Sequence, residues 1–378
     1  MTAVRSQESL GIVFQGSFCI RRNIYMDKIE FSTVEEQIEK LKSQHLIIEN
    51  EEEALDALSL FGYSNLIKSY REPYVITSDT GKVYRSGVTF DQICSLYILD
   101  KNLRNGVMAA MQDLEEHIKE LSATVIASSF GTHHDEYLQY RHYRNKRKRI
   151  DRFTLSGILN TMRKTLDTDK DPIHHYKEEH DIVPPWILFK SIYFSTIINF
   201  IDQFKIDEQN KLVHKLYDTE SISLEDANLR MLMIDTLYIC LGYRNKAAHG
   251  GRIYNYNCPN ALRIHEIFGD SFNFNVNGFS QLLFVLSLLD YQSPYIGLQD
   301  ILNEEVNRHC SKYPQDVTYL GQILNLDIIP QTIVYVSNSS NKYHLIPHCS
   351  GIQNTIPLVL EDAKAQNYIP CKRCAKKI

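Results

Sequence analysis

Arginine, asparagine and histidine stand close together in Tyr243-Arg244-Asn245-Lys246-Ala247-Ala248-His249-Gly250-Gly251-Arg252. A guanidinium stays charged and can grip phosphate oxygens two at a time. An imidazole titrates near neutrality, at a pKa of about 6.5, and can take up or release a proton. Such groups suit RNA cleavage by the 2′-hydroxyl, which moves two protons and builds negative charge on phosphorus, with no metal required. Asn245 and His249, spaced i, i+4, share one helix face, and Gly250 and Gly251 are expected to end the helix. Arg244 follows Cys240 by four residues and so continues the stripe of Leu229, Met233, Leu237 and Cys240. It is expected to need a partner, because an unpaired buried charge is costly. A structural alternative has His249 and Arg252 complementing the helix dipole and Arg244 in an ion pair.

Two further groups of residues carry chemistry. Arg141, Arg144, Lys146, Arg147, Lys148 and Arg149 form the strongest basic run, punctuated by Tyr137, Tyr140 and Tyr143. Cations for phosphates with aromatics for bases are what single-stranded RNA recognition uses; a solvated loop is the alternative. Near the end of the chain, His344-x4-Cys349 and Cys371-x2-Cys374 offer one histidine and three thiolates, a closed set of the kind structural zinc takes. His348 is an alternative ligand, and a reduced cysteine pair without metal is the alternative reading. Zinc is favoured because about 45 residues rarely build a stable core without a staple.

The Arg244-to-His249 segment resembles the R-x4-H signature of the HEPN superfamily of ribonucleases. With Gly251-Arg252-Ile253-Tyr254-Asn255 behind it, it resembles the Abi-like proteins of bacterial abortive infection. Similar resemblance runs through Thr33 to Leu41, Gly62 to Tyr70, Leu96-Tyr97 to Leu103-Arg104, Glu115 with Lys119, His174-His175-Tyr176 and Pro184-Pro185-Trp186, and it spans roughly residues 30–265. The resemblance implies an all-helical endoribonuclease toxin of phage defence, with two such motifs meeting across a homodimer. It also implies that a small non-coding RNA can serve as antidote. The tail is similar to a small Cys/His module appended to varied bacterial proteins. On this reading Arg244 stabilises the phosphorane, His249 transfers protons and Asn245 orients, while Arg252 and the basic run hold RNA. Asp100, Arg104 and Glu115 support the site, Glu115 by reaching toward Arg244. The second reading is a non-catalytic RNA-binding or scaffold protein whose zinc-type tail recruits a partner; the third is DNA binding through that tail.

These residues need elements to hold them. Ser32-Thr33-Val34-Glu35 reads as a capping box opening a helix, and a second helix runs from Glu51 to about Phe61. Thr89 caps the longest helix, to about Ala127, on which Asp100 and Arg104 can pair at i, i+4. Trp186 to Phe204 reads as a core helix interrupted by Lys190 and Asp202, and not as a membrane span; His174, His175 and His180 read as loop residues. Helices are also expected over Gly278 to Tyr291 and Leu298 to Cys310. A strand at Ile333 to Val336 and a helix from Leu358 to about Gln366 then build the tail. The fold class expected is mainly α: a loose leader at 1–25, with a start at Met26 allowed, a HEPN-like helical domain at 26–312, a linker at 313–330 and a small α+β Cys/His module at 331–378. A net charge of −5 over 378 residues argues against indiscriminate nucleic-acid coating. Eight scattered cysteines suit a reduced, cytoplasmic protein more than a disulfide scaffold.

Overall fold

The computed structural model describes residues 31–78, 81–270, 276–329, 331–345, 349 and 354–375. The expected leader, the start at Met26 and the alternative ligand His348 lie outside them. The fold is mainly helical with a small C-terminal sheet. Helix α1 (Val34–Ser43) is opened by a capping box one residue later than the expected pattern: Thr33 Oγ accepts from the Glu36 N–H and Glu36 returns the bond to Thr33. Helix α2 (Glu51–Phe61) is followed by an antiparallel pair, β1 (Val75–Ser78) and β2 (Gly81–Tyr84).

The spine is α3 (Phe90–Phe130), 41 residues long and so about 60 Å from end to end. Thr89 caps it by accepting from the Gln92 N–H. Its buried face runs through Ile93, Leu96, Leu103, Val107, Leu114, Ile118 and Val125, as the 3.6-residue period predicts. Helices α4 (His134–Tyr137), α5 (Leu155–Leu166) and α6 (Ile173–His180) follow. His174, His175 and His180 are therefore helical and not in a loop.

The apolar run from Trp186 is not one helix. It splits into α7 (Pro185–Leu188), a turn of 3₁₀ helix and α8 (Phe194–Ile201). Pro185 occupies a first helical turn, where its missing N–H costs nothing. Next come α9 (Ile206–Leu216), α10 (Asp226–Ala248), α11 (Ile264–Phe268), α12 (Gly278–Ser287) and α13 (Ser293–Lys312). Both α10 and α13 pack along α3. Gly106 lets the side chains of α13 pack tightly on α3: a Cβ there would lie 3.0 Å from Ile301 Cδ1. The expected linker instead contains α14 (Val317–Leu324), whose Leu320 and Leu324 are fully buried in the main core.

Buried side chains fall into two clusters, the second confined to residues 334–375. There β3 (Ile333–Ser337), β4 (Ser340–His344), β5 (Ile356–Val359) and β6 (Ile369–Pro370) form a sheet of order β5-β3-β4-β6, antiparallel except for the β4–β6 pair. A short helix, α15 (Leu360–Ala365), packs on it. Among the described residues no helix is long and apolar enough to cross a membrane.

Candidate functional site

The buried face of α10 passes through Leu229, Met233, Leu237, Cys240, Tyr243 and Ala247. From Cys240 onward it advances by three and then four residues, so Arg244 falls at its edge and not within it. The expectation of a buried, partnered arginine is corrected accordingly. Arg244 is half-buried, and among the described residues its guanidinium makes no hydrogen bond or ion pair. Asn245 and His249 are exposed on the adjacent face, and neither side chain is engaged among the described residues.

The helix ends as its glycines require. His249 is the cap, and Gly250 adopts φ +67°, which a Cβ would disfavour. The Gly250 N–H donates to the Ala247 carbonyl (3.0 Å) and the Gly251 N–H to the Lys246 carbonyl (2.9 Å), the paired bonds of a Schellman motif. Lys246 lies over the ring of Tyr256, 5.3 Å from its centre.

What holds this end in place is Asp100 of α3, fully buried. Its Oδ1 accepts from the backbone N–H groups of Ile253 and Tyr254, both at 2.7 Å. Its Oδ2 accepts from the Tyr70 hydroxyl (2.5 Å) and from Arg104 Nη1 (3.2 Å). Burial raises the Asp100 carboxyl above its ordinary range, and the Tyr70 hydroxyl, the two amides and Arg104 draw it back. Arg104 also reaches the Gly250 carbonyl at 3.5 Å. The pairing expected at i, i+4 is thus present, and its acceptor fixes the chain leaving α10.

Two expected participants are engaged elsewhere. Glu115 pairs with Lys119 at 2.8 Å and does not reach Arg244. Arg252 donates to the Ser69 carbonyl at 2.5 Å and lies 3.9 Å from Glu72, so its Nη1 secures the exit loop.

The basic run divides. Lys146 and Lys148 both bond Asp202, Lys148 also donates to the Tyr238 hydroxyl (2.9 Å), and Arg144 donates to Gln209 (3.0 Å). These three cations pin the loop to α9, α10 and the residues after α8, a structural role that their spacing in the sequence did not announce. Arg141, Arg147 and Arg149 remain exposed, and among the described residues their side chains have no partner. Tyr137 and Tyr143 are core residues, leaving only Tyr140 of the three exposed. Asp202 could have been suspected from its place in the most apolar segment of the chain.

Burial alone would raise the Asp202 carboxyl, but the two lysine ammonium groups outweigh it and hold the carboxyl below its usual range. A depressed carboxylate contributes stability that is present above the unfolded pKa, about 3.9, and is lost as pH falls through the folded value. Asp202→Asn is therefore expected to melt well below the native chain at pH 7, with the gap narrowing below about pH 4. A gap unchanged from pH 7 to pH 3 would show that the cluster is not coupled to folding.

In the tail, one ligand atom each from His344, Cys349, Cys371 and Cys374 lies within 4.8 Å of all the others, close enough to hold one metal ion. Cys349 Sγ and Cys371 Sγ are 4.0 Å apart, and Cys374 Sγ lies 3.5 Å from His344 Nδ1. Burial works against the Cys371 thiolate, yet the N–H groups of Cys374 and Arg373 lower the thiol below its ordinary range. His249 belongs to no such group among the described residues.

A feature absent from the sequence expectations is a cleft of about 660 Å³ lined in part by Tyr74, Gln92, Asn255, Asp316 and Tyr319. No local spacing signals it, because its walls come from four separate parts of the chain.

Compared with known proteins, residues 56–255 match the family described as Abi-like protein. That stretch is more than half of the chain and contains Asp100, the basic run and the whole of α10 with its exit loop. No curated protein and no solved structure matches.

Proposed function

This chain belongs to the Abi-like protein family, whose membership supports a role related to abortive infection, and from that premise we propose that it is a metal-independent endoribonuclease of the HEPN type. The observation that carries the reading is Arg244: a half-buried guanidinium without a partner among the described residues, on the same helix end as an unengaged imidazole. A cation left in that state favours an anion arriving from solution.

His249 takes the 2′-hydroxyl proton as the 2′-oxygen bonds to phosphorus. The bond from phosphorus to the 5′-oxygen breaks, and that oxygen is protonated by a second imidazole. The products are a 2′,3′-cyclic phosphate and a free 5′-hydroxyl. Arg244 bears the extra charge on the phosphorane, and Asn245, one turn from His249, orients the phosphate. The second imidazole comes from another copy of the chain; exposed Ala248 keeps this surface low enough for the approach. Light scattering should then give twice the chain mass. The protein is incubated with end-labelled single-stranded RNA in excess EDTA. Cleavage that persists with chelator and disappears in His249→Ala supports the reading; binding without cleavage by either protein points to an RNA-binding scaffold.

The tail would hold zinc through His344, Cys349, Cys371 and Cys374. Tetrahedral zinc places sulfurs about 3.8 Å apart and sulfur about 3.6 Å from nitrogen, given its usual bond lengths; the separations of 4.0 and 3.5 Å fit. Such an ion supplies a crosslink and no reactive position. Elemental analysis should find one zinc per chain, lost in Cys371→Ser together with protease resistance of residues 331–375. Full resistance without metal would refute the assignment.

A further inference from the structure

The cleft beside the exit loop has chemistry of its own. Its floor is Asp316, whose Oδ2 accepts from the Tyr74 hydroxyl (2.7 Å) and His309 Nε2 (2.9 Å), while Gln92 Nε2 lies 3.0 Å from both carboxylate oxygens. Oδ1 therefore carries only the shared Gln92 bond and retains acceptor capacity. One wall is Tyr319, half-buried, its hydroxyl 3.2 Å from that of Tyr254. Asn255 and Gln315 line the cleft with amides that make no side-chain hydrogen bond among the described residues. At the rim, Arg85 is exposed and its side chain has no partner among them.

These features select a ligand. An aromatic wall accepts a planar ring, and free amides match the donor and acceptor edge of a base. A carboxylate floor repels phosphate but accepts from an amino group. The arginine outside is where a phosphate would rest. Asn255 is also the residue after Tyr254, whose N–H is held by Asp100. The anchor that sets the end of α10 thereby sets one wall of the cleft.

We propose that this cleft receives one unstacked base of the RNA strand, a base with an exocyclic amino group, and so contributes to the choice of the bond cut. The proposal rests on the ribonuclease reading, and its test separates the two. AMP, CMP and UMP are titrated into the full-length native protein and into Asn255→Ala, Tyr319→Leu and His249→Ala, each checked for folding by its melting curve. Cleavage positions in single-stranded RNA are mapped for the native protein and the first two variants.

AMP and CMP are expected to bind the native protein and His249→Ala alike, and UMP about tenfold more weakly. Asn255→Ala and Tyr319→Leu should each lose roughly tenfold or more in affinity and shift the pattern of cuts. Nucleotide binding of this kind without RNA cleavage by the native protein would retain the cleft as a nucleotide site and remove the ribonuclease reading. Unchanged cuts and rates in both cleft variants, with no mononucleotide binding up to millimolar concentration, would overturn the cleft assignment and leave the ribonuclease standing. Binding with unchanged cuts would assign the cleft to a free nucleotide and overturn its role for the strand.

Discussion

His249→Ala is expected to lower the rate of RNA cleavage by about three orders of magnitude, since general acid–base groups contribute roughly 10²- to 10⁴-fold. Arg244→Ala should cost about 10²- to 10³-fold, the range for removing one donor that faces developing charge. The two losses should not multiply, because both groups serve the same transition state. Arg244→Lys keeps the charge and loses the two-pronged grip, so it should recover only part of the rate. Neither side chain has a partner among the described residues, so the variants should melt close to the native temperature. That separates chemistry from folding. Initial rates on end-labelled RNA, measured in chelator, decide the matter: a His249→Ala protein that cuts at the native rate ends the enzymatic assignment.

The second large effect is structural. Asp100→Ala deprives four donors of their acceptor at once: the amides of Ile253 and Tyr254, the Tyr70 hydroxyl and Arg104. Leaving buried donors and a guanidinium unpaired should destabilise the helical domain by about 3–5 kcal/mol, a fall of roughly 10 °C in melting temperature for a domain of this size. Asp100→Asn keeps a carbonyl for the two amides but turns an NH₂ toward Arg104, so its loss should be smaller. Tyr70→Phe should be milder still, removing one donor from a carboxylate that keeps three. Calorimetry of the three variants tests that order. Equal melting temperatures for Asp100→Ala and the native chain would show that this carboxylate does not anchor the exit loop.

Local pattern was enough for a good part of this protein. The 3.6-residue period places the long helix and its buried face, Thr89 marks its start, and the i, i+4 spacing of Asp100 and Arg104 foretells their pairing. The Cys371-x2-Cys374 spacing, with His344 and Cys349, announces a cluster that folding indeed gathers. The helical relations run over a turn or two, distances that backbone geometry itself dictates, and the cluster is legible because each ligand pair is closely spaced.

Partners distant along the chain were decided only by the tertiary structure. Lys146 and Lys148 read as free cations because Asp202, which holds them, lies more than fifty residues on. Arg244 read as buried because a stripe extrapolated by fours does not reveal where a packed face turns. Glu115 shares a helix with Arg104, yet its nearer partner is Lys119, one turn away. The Asp316 floor joins Gln92 to a residue 224 positions later. Periodicity tells which side of a helix is apolar; which charges meet, and which are left open to a ligand, depends on how the helices are laid against one another.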